Sequence, residues 1–587
     1  MLDKRLSRFL WGHLKHYRKL VLLSLCFMLL VAFSRMAPPY ILKIAIDRYI
    51  SHRDFSGLSL MALFYLLFVL LEYGAIYVQI YATQLFGQNV VKDMRLAIFS
   101  HVLRLPVPYF DKTPHGKTLN YMTSDMENIN EFVTSGIVTT AGDVLTILGI
   151  AAVMMYLSLP LTAVAALFFF SLFLATHFLR KRFHEAYRAT RESASEMNAF
   201  LNESLAGIYV SKLFCRKEAE ISKFQEKNER YVAAYKRVIH YLSLYFPLVE
   251  SVGTLTILAI LVASDAVLVY GAITFGTIVA FIEYSQKIYN PIRDLSEKYN
   301  LYQNALSSLE KIDALLSTEV ERQVEDSPEI SGDIEFKDVW LSYDDESFAL
   351  KGINLTIGAG EKVGIVGLTG SGKTSLINLL LGFYRPSRGE IRIGGRGIEE
   401  YSPDVLRKAF GIVSQDVYVF PRTLQENLLL GDNHRLPEEL APIAGGLFGR
   451  GLEKVVSEDG INFSEGEKQV ISLGRLMTCR PSYIILDEAT SKIDTCLERG
   501  ISNILEGQFY SCTWIIIAHT LHSIQKLNRI IVIHEGQLVE EGNHEQLLQR
   551  NGLYGHLFGI TLERRAYENL HREAWGNGME PGGDLPR

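Results

Sequence analysis

The sequence predicts an α-helical membrane domain of six spans followed by an α/β P-loop nucleotide-binding domain. Three observations carry that expectation. Hydrophobic residues make up 48% of the 587 residues and the mean hydropathy is +0.12, high for a water-soluble chain. The apolar residues crowd between Leu20 and Leu301, while the remainder has the mixed composition of a soluble α/β domain. A glycine-rich stretch, Gly367 to Thr374, stands between a β-rich run and a helix-forming one.

A spanning helix needs about 20 mostly apolar residues, and the windows 20–47, 58–86, 134–156, 159–179, 240–263 and 274–300 qualify. Leu157 and Ser158 ahead of Pro160 predict a tight hairpin on the outer side. The stretches before the third span and after the fourth are polar and rich in helix formers, so they predict long helical extensions on one face. Lys4, Arg5, Arg8, Lys15, Arg18 and Lys19 precede the first span and Arg180-Lys181-Arg182 closes the fourth, while the opposite loops offer little beyond Arg53. The positive-inside rule therefore puts both ends and both extensions in the cytoplasm.

The first apolar run is too long for a cleaved signal peptide. Leu2 to Arg18 is read either as an interfacial helix or as a solvated basic flank. The five cysteines, Cys26, Cys215, Cys479, Cys496 and Cys512, show no metal spacing and are expected to be reduced. A net charge of −6 argues against nucleic acid as a partner. The expected boundaries are 1–19 for an interfacial elbow helix, 20–315 for the membrane domain, 316–332 for a linker, 333–560 for the nucleotide-binding domain and 561–587 for a disordered polar tail.

In the soluble half, Gly367-Leu368-Thr369-Gly370-Ser371-Gly372-Lys373-Thr374 fits G-x-x-x-x-G-K-[ST] after the strand-like Lys362–Val366, and a helix starting near Ser375 follows. Glycines let the backbone fold tightly enough to aim N–H groups at phosphate oxygens, and the helix amino terminus favours the anion. Lys373 supplies a point charge for the β- and γ-phosphates of ATP, and the Thr374 hydroxyl is a ligand for Mg²⁺. Downstream, Tyr483-Ile484-Ile485-Leu486 ends in Asp487 and Glu488. Such a strand delivers one carboxylate, Asp487, to the metal and a second, Glu488, to an attacking water as general base. Another buried run, Trp514 to Ala518, delivers His519 toward the γ-phosphate.

On these residues the chain resembles a half-transporter of the ATP-binding cassette exporter family, over about residues 1–560. The resemblance implies that Tyr343 stacks on adenine, that Gln415 of "GIVSQDVYVF" is a Q-loop residue reaching Mg²⁺, and that Ser491-Lys492-Ile493-Asp494 is the D-loop. "LPVPYFDKTPHGKTLNYMTSDMENI", "ESLAGIYVSKLFCRKE" and "GAITFGTIVAFIEYSQKIYNPIRDLSEKYN" resemble the first intracellular loop, the helix returning toward the second, and the sixth helix leading into the cassette. It also implies a multi-pass protein of the plasma membrane, bacterial in type. It implies further that two such halves close their cassettes around two ATP molecules to move an amphiphile (a drug, lipid, peptide or secondary metabolite) out of the cytoplasm.

One stretch departs from the family. "INFSEGEKQ" puts F-S-E-G-E where L-S-G-G-Q is usual, keeping Ser464 and Gly466 for the nucleotide of the other cassette but adding Glu465 and Glu467. Their charge is expected to cost about one to a few kcal/mol against a phosphate. Joined to a complete set of residues at its own ATP, this predicts one half of a heterodimer. The alternatives are a homodimer with the glutamates turned to solvent, or an ATP-gated channel of the same fold. The stretch from Gln415 to the signature is also short for the family, so a trimmed helical subdomain is expected, with Glu458 a candidate cross-contact.

Glu72, Asp143, Glu250 and Glu283 fall inside predicted spans near Tyr73, Tyr245, Phe246 and Phe281. They read either as a path for a cationic amphiphile or as buried pairs between helices. With no peptidase domain ahead of the first span, leader processing is not expected of this chain.

Overall fold

A computed structural model describes residues 12, 15–269, 273–322, 324, 328–344, 346–430, 451–479, 481–487, 507–517 and 524–559. The chain divides into two compact units: Met1–Leu103 with His115–Thr318, and Arg104–Pro114 with Glu319–Arg587.

The first unit is built from long helices: α1 (Arg18–Ile44), α2 (Phe55–Val102), α3 (Thr139–Leu157), α4 (Leu159–Ala206), α5 (Lys217–Val269) and α6 (Phe275–Leu316). Five helical stretches, ending at Ile50, Val102, Leu157, Ala206 and Asp265, are long and apolar enough to cross a bilayer among the described residues. The sixth, α6, is the polar one, carrying Glu283, Lys287 and Lys298 on a helix of 42 residues. At 53 residues, α5 is about 80 Å long, more than twice the hydrocarbon thickness, so much of it lies beyond the membrane, as expected for the extensions. Ser158 alone, in extended conformation, separates α3 from α4, and Pro160 sits in the first turn of α4, where its missing N–H costs nothing.

Two local devices shape the first span. Pro38 and Pro39 lie inside α1 and remove the donors that would satisfy the Ser34 and Arg35 carbonyls. Helix α6 fills part of the gap, since Lys287 Nζ donates to the Arg35 carbonyl at 3.0 Å, and, one residue on, Tyr284 Oη donates to the Met36 carbonyl at 2.6 Å. Neighbouring helices commonly stitch such breaks in lipid, where no water can. After α1 the chain widens into a π-helix, Ala45–Ile50. From it Asp47 caps α6, accepting from Gly276 N at 2.9 Å and from the Thr274 hydroxyl. Gly276 has to be glycine, since a Cβ there would lie 2.5 Å from the Lys43 carbonyl.

The second unit holds two sheets. One is antiparallel, ordered β2-β1-β4-β5, from β1 (Ile334–Ser342), β2 (Phe348–Ile357), β4 (Arg388–Ile393) and β5 (Arg396–Gly397). The other is ordered β10-β9-β3-β8-β7-β6, from β3 (Lys362–Val366), β6 (Phe410–Val413), β7 (Tyr483–Asp487), β8 (Thr513–Ile517), β9 (Arg529–His534) and β10 (Gln537–Gly542). Only β9–β10 pairs antiparallel in it. Its central strands read as continuous apolar runs, since both faces are covered. Leu376, Leu379 and Leu380 of α7 (Lys373–Leu380) bury against the sheets in one core with Ile365, Ile485 and Ile515.

The short helix Val107–Lys112 belongs to this second unit. Tyr384 donates its hydroxyl to Asp111, and burial followed by that carboxylate pushes the phenol upward. Beside it, Arg407 of α8 (Pro403–Ala409) grips Glu321 with both terminal nitrogens, at 2.9 and 2.6 Å, and lies 4.9 Å above the Phe383 ring.

Candidate active site

The parallel strands deliver the predicted residues to one edge. Ile365 pairs with Ile517, and Ile517 with Asp487, while Leu486 pairs with Val413. The turn beginning at Gly367, the Asp487 carboxylate and the Gln415 loop therefore all leave the sheet at its carboxyl end, where open α/β sheets bind ligands. Glu488 directly follows β7 and His519 follows β8 by two residues; both, with Ser491 to Asp494, lie outside the described residues.

Gly367 to Gly372 turn the chain from β3 into α7. Gly370 and Gly372 adopt φ +81° and +108°, open to glycine without strain, and a Cβ on Gly367 would meet the Ile533 carbonyl at 2.2 Å. Lys373, only 8% exposed, curls back over the loop and donates to the carbonyls of Gly367 and Leu368 at 2.8 and 3.0 Å. A cation is thus held at the centre of the loop. Leu368, Thr369, Gly370 and Thr374 are exposed, whereas Ser371 is buried with its hydroxyl unpartnered among the described residues. An exposed threonine, an orphan hydroxyl and a held lysine suit a phosphate and its metal better than they suit a structural turn.

Tyr343 stands beside α7. Its hydroxyl donates to Ser375 Oγ at 3.0 Å and accepts from Asn378 Nδ2 at 3.3 Å, and its ring meets Tyr384 edge-on at 4.7 Å. Ser375 is therefore occupied by the tyrosine, and Thr374 is the accessible hydroxyl of that turn.

Comparison with known proteins fits this geometry. The ABC transporter transmembrane region matches residues 21–292, and the ABC transporter domain matches residues 350–491. An uncharacterised ABC transporter ATP-binding protein of Bacillus subtilis, YfiC, is 30% identical over 95% of this chain and 94% of its own length. The chain belongs to the ABC transporter family. A second B. subtilis protein, YknV, is 32% identical over 93% of each chain, and the ATP-dependent lipid A-core flippase of Desulfotalea psychrophila is 28% identical over 95% of this chain and all of its own. Among solved structures, a bacterial Atm1-family ABC exporter with ATP bound superposes with a TM-score of 0.75 at 23% identity, over 92% of this chain and 98% of that one. This ABC transporter is accordingly an exporter of half-transporter layout, a multi-pass membrane protein whose cassette binds and hydrolyses ATP to drive transport.

The loop at Ser464, where a signature is expected, is folded on itself. Ser464 caps α9 (Glu465–Thr478), and Glu467 closes a capping box with it. Glu467 Oε2 accepts from Ser464 N at 2.7 Å and from Ser464 Oγ at 2.9 Å, while Glu467 N donates back to Ser464 Oγ at 3.3 Å. The hydroxyl and amide that this loop could offer a phosphate are thus both committed to a carboxylate. Glu465, with its side chain 55% exposed, turns instead along its own helix to Lys468 Nζ, 3.1 Å away. Glu458 sits in a 3-10 turn, Glu458–Gly460, ahead of the loop, and residues 431–450 of the shortened subdomain lie outside the described residues.

Sequence reasoning missed Arg475. From α9 its guanidinium donates to the carbonyls of Asn427 and Tyr418 at 2.8 and 2.7 Å and to Asn427 Oδ1 at 2.9 Å. Burial pulls it down to about 10, still a cation at neutral pH. Asn427 is itself fully buried and holds Phe420 by both backbone groups. Arg475 therefore ties the signature helix to the segment that follows Gln415. The only sequence signal was a lone arginine on the apolar face of an amphipathic helix.

In the helix bundle two of the four acids resolve as pairs. Glu72 accepts from Arg35 Nε at 3.1 Å, and Asp143 pairs with Lys298. Phe281 is fully buried, whereas Tyr73 and Phe246 are exposed. Glu250 and Glu283 make no ion pair among the described residues, so helix contacts account for two of the four carboxylates.

Proposed function

We propose that this chain is one half of a heterodimeric exporter of amphiphiles, whose own ATP site turns over against a partner's signature while its own signature completes a slow site. The capping box between Ser464 and Glu467 carries this reading. In the closed dimer a signature serine donates to the γ-phosphate held by the other cassette, and here that donor already faces an anion. Gly466 gives the backbone approach beside it.

At this chain's own nucleotide, Tyr343 supports adenine, and Gly367 to Gly372 with Lys373 and Thr374 cradle the phosphates, while Ser375 steadies the Tyr343 hydroxyl. Thr374, Gln415 and Asp487 would hold Mg²⁺, which would supply positive charge against the phosphates. Glu488 takes the proton of the attacking water, and His519 steadies the γ-phosphate. Export of an amphiphile follows the layout of relatives that include lipid A-core flippases. One observation favours the homodimer: Glu465 is turned to Lys468 and solvent, so repulsion falls on Glu467 alone.

The test is native mass and ATPase rate of the chain purified alone and together with candidate second halves, each with and without Glu488→Gln. A stable, active dimer only in the mixed preparation, trapped closed by Glu488→Gln in this chain, is expected. An active dimer of this chain alone would overturn the asymmetric reading.

A further inference from the structure

The Arg35, Glu72 and Lys287 groups form a charged layer inside the bundle that the helix contacts do not exhaust. Counting 1.5 Å per residue from the outer helix ends, Lys287 lies about 18 Å below Phe275 and Glu72 about 26 Å below Phe55. Both depths fall within a hydrocarbon core of about 30 Å, toward its cytoplasmic half. Charges at that depth are costly and are kept for pairing or for function.

Pairing uses only part of them. Arg35 spends Nε on Glu72 Oε1, and its terminal nitrogens make no hydrogen bond among the described residues, although its side chain is 33% exposed. Lys287 spends one of three donors on the Arg35 carbonyl, and among the described residues no carboxylate lies within ion-pairing distance of it. Glu283, one turn earlier on α6, has no partner among the described residues, and Glu72 Oε2 is likewise unspent. The layer thus presents two cations with unused N–H donors and two carboxylates with unused acceptors.

Net charge decides what such a layer accepts. Arg35 and Lys287 balance Glu72 and Glu283, so a purely anionic or cationic head group would bring an uncompensated charge into low dielectric. A head group carrying both charges, spaced by on the order of one helical pitch of about 5 Å, satisfies both halves. Resting on the exporter reading, we propose that this layer binds the head group of a zwitterionic amphiphile, with a phosphate on Arg35 and Lys287 and a primary ammonium on Glu72 and Glu283. Phosphoethanolamine is that chemistry.

The experiment is lipid titration of the full transporter by native mass spectrometry, with phosphatidylethanolamine, phosphatidylcholine and phosphatidylglycerol as probes. Loss of charge-assisted hydrogen bonds is worth about tenfold or more in affinity, so phosphatidylethanolamine should bind at least that much tighter than the other two. Lys287→Gln keeps a donor for the Arg35 carbonyl and removes the charge; with Glu283→Gln it should abolish the preference, while Lys287→Arg retains it. Equal binding of the three lipids, or a preference unchanged in Lys287→Gln, overturns the inference. Free phosphoethanolamine competing as well as the lipid would overturn the amphiphile part, marking a soluble zwitterion. ATP-driven flipping of labelled lipids in vesicles separates the two readings. Selective binding without flipping of any lipid leaves the site and removes the amphiphile exporter, whereas Lys287→Gln that still flips phosphatidylethanolamine in preference leaves the exporter and removes the site.

Discussion

Replacing Glu467 by glutamine separates the charge of the signature loop from its shape. Glutamine at the third helical position closes a capping box as glutamate does, so α9 keeps its amino-terminal bonds and fold stability should stay within about 0.5 kcal/mol. A phosphate oxygen accepting from Ser464 Oγ must approach an atom that sits 2.9 Å from Glu467 Oε2, bringing the two anions to about 4–5 Å. At that range unit charges repel by about 1 kcal/mol in water and about 4 kcal/mol at an effective dielectric near 20. The loop lies at the cassette surface, so screening selects the lower part of that range, about 1–2 kcal/mol. Glu467→Gln should then lower the ATP concentration for cassette closure by about five- to thirtyfold. Closure is read by energy transfer between labelled cassettes in a Glu488→Gln background, which isolates binding from turnover. Glu465→Gly, whose carboxylate already faces Lys468, should shift it far less. An unchanged ATP dependence in Glu467→Gln, with helix content intact, would sink the electrostatic account of the weak site.

Lys373→Ala should lose most of its nucleotide affinity, measured with a fluorescent ATP analogue; intact affinity would remove Lys373 from the phosphate cradle. Arg407→Gln breaks the two bonds to Glu321 and the contact with Phe383, and should cost about 1–2 kcal/mol in urea unfolding of the cassette. Combined with Glu321→Gln it should cost little more, and full additivity would deny the pair. Tyr483 donates to the Gly332 carbonyl at 2.8 Å, and burial, with lesser help from Tyr401 and Asp333, pushes its phenol up to about 12. The folded state prefers the neutral phenol, so this contribution is complete below the unfolded value of about 10 and is lost as pH rises from there toward 12. Tyr483→Phe should flatten the alkaline fall in melting temperature over that window, and an unaltered slope would refute the assignment.

What the sequence made legible is what rests on local pattern. Apolar length predicted the spans, and Leu157 and Ser158 ahead of Pro160 predicted the hairpin. The G-x-x-x-x-G-K-[ST] spacing predicted a loop whose glycines do adopt positive φ. Strand endings at Val413, Val366, Asp487 and Ile517 could be read one by one, but their convergence at one sheet edge is a property of parallel register, which pairs residues far apart in sequence. The same limit hid the repair of α1. Pro38 and Pro39 announce a break, yet nothing local says that Lys287, on another helix, supplies the donor missing at the Arg35 carbonyl.

The signature loop shows a subtler limit. Composition revealed two added glutamates and assigned both the same effect, repulsion of a phosphate. Side-chain geometry divides them. At the third helical position Glu467 reaches back to the cap and competes for the donor that the loop would give away. One residue into the helix, Glu465 reaches forward to Lys468 and is neutralised. The same reasoning applies in the bundle, where four acids read as one class resolve into two that are held by cations and two, Glu250 and Glu283, that have no ion pair among the described residues. Charge counted along a sequence therefore predicts that a site is unusual. Which atom each carboxylate occupies decides how: Glu467 sits on the Ser464 donor, where its charge would meet a phosphate, whereas Glu465 is turned to Lys468.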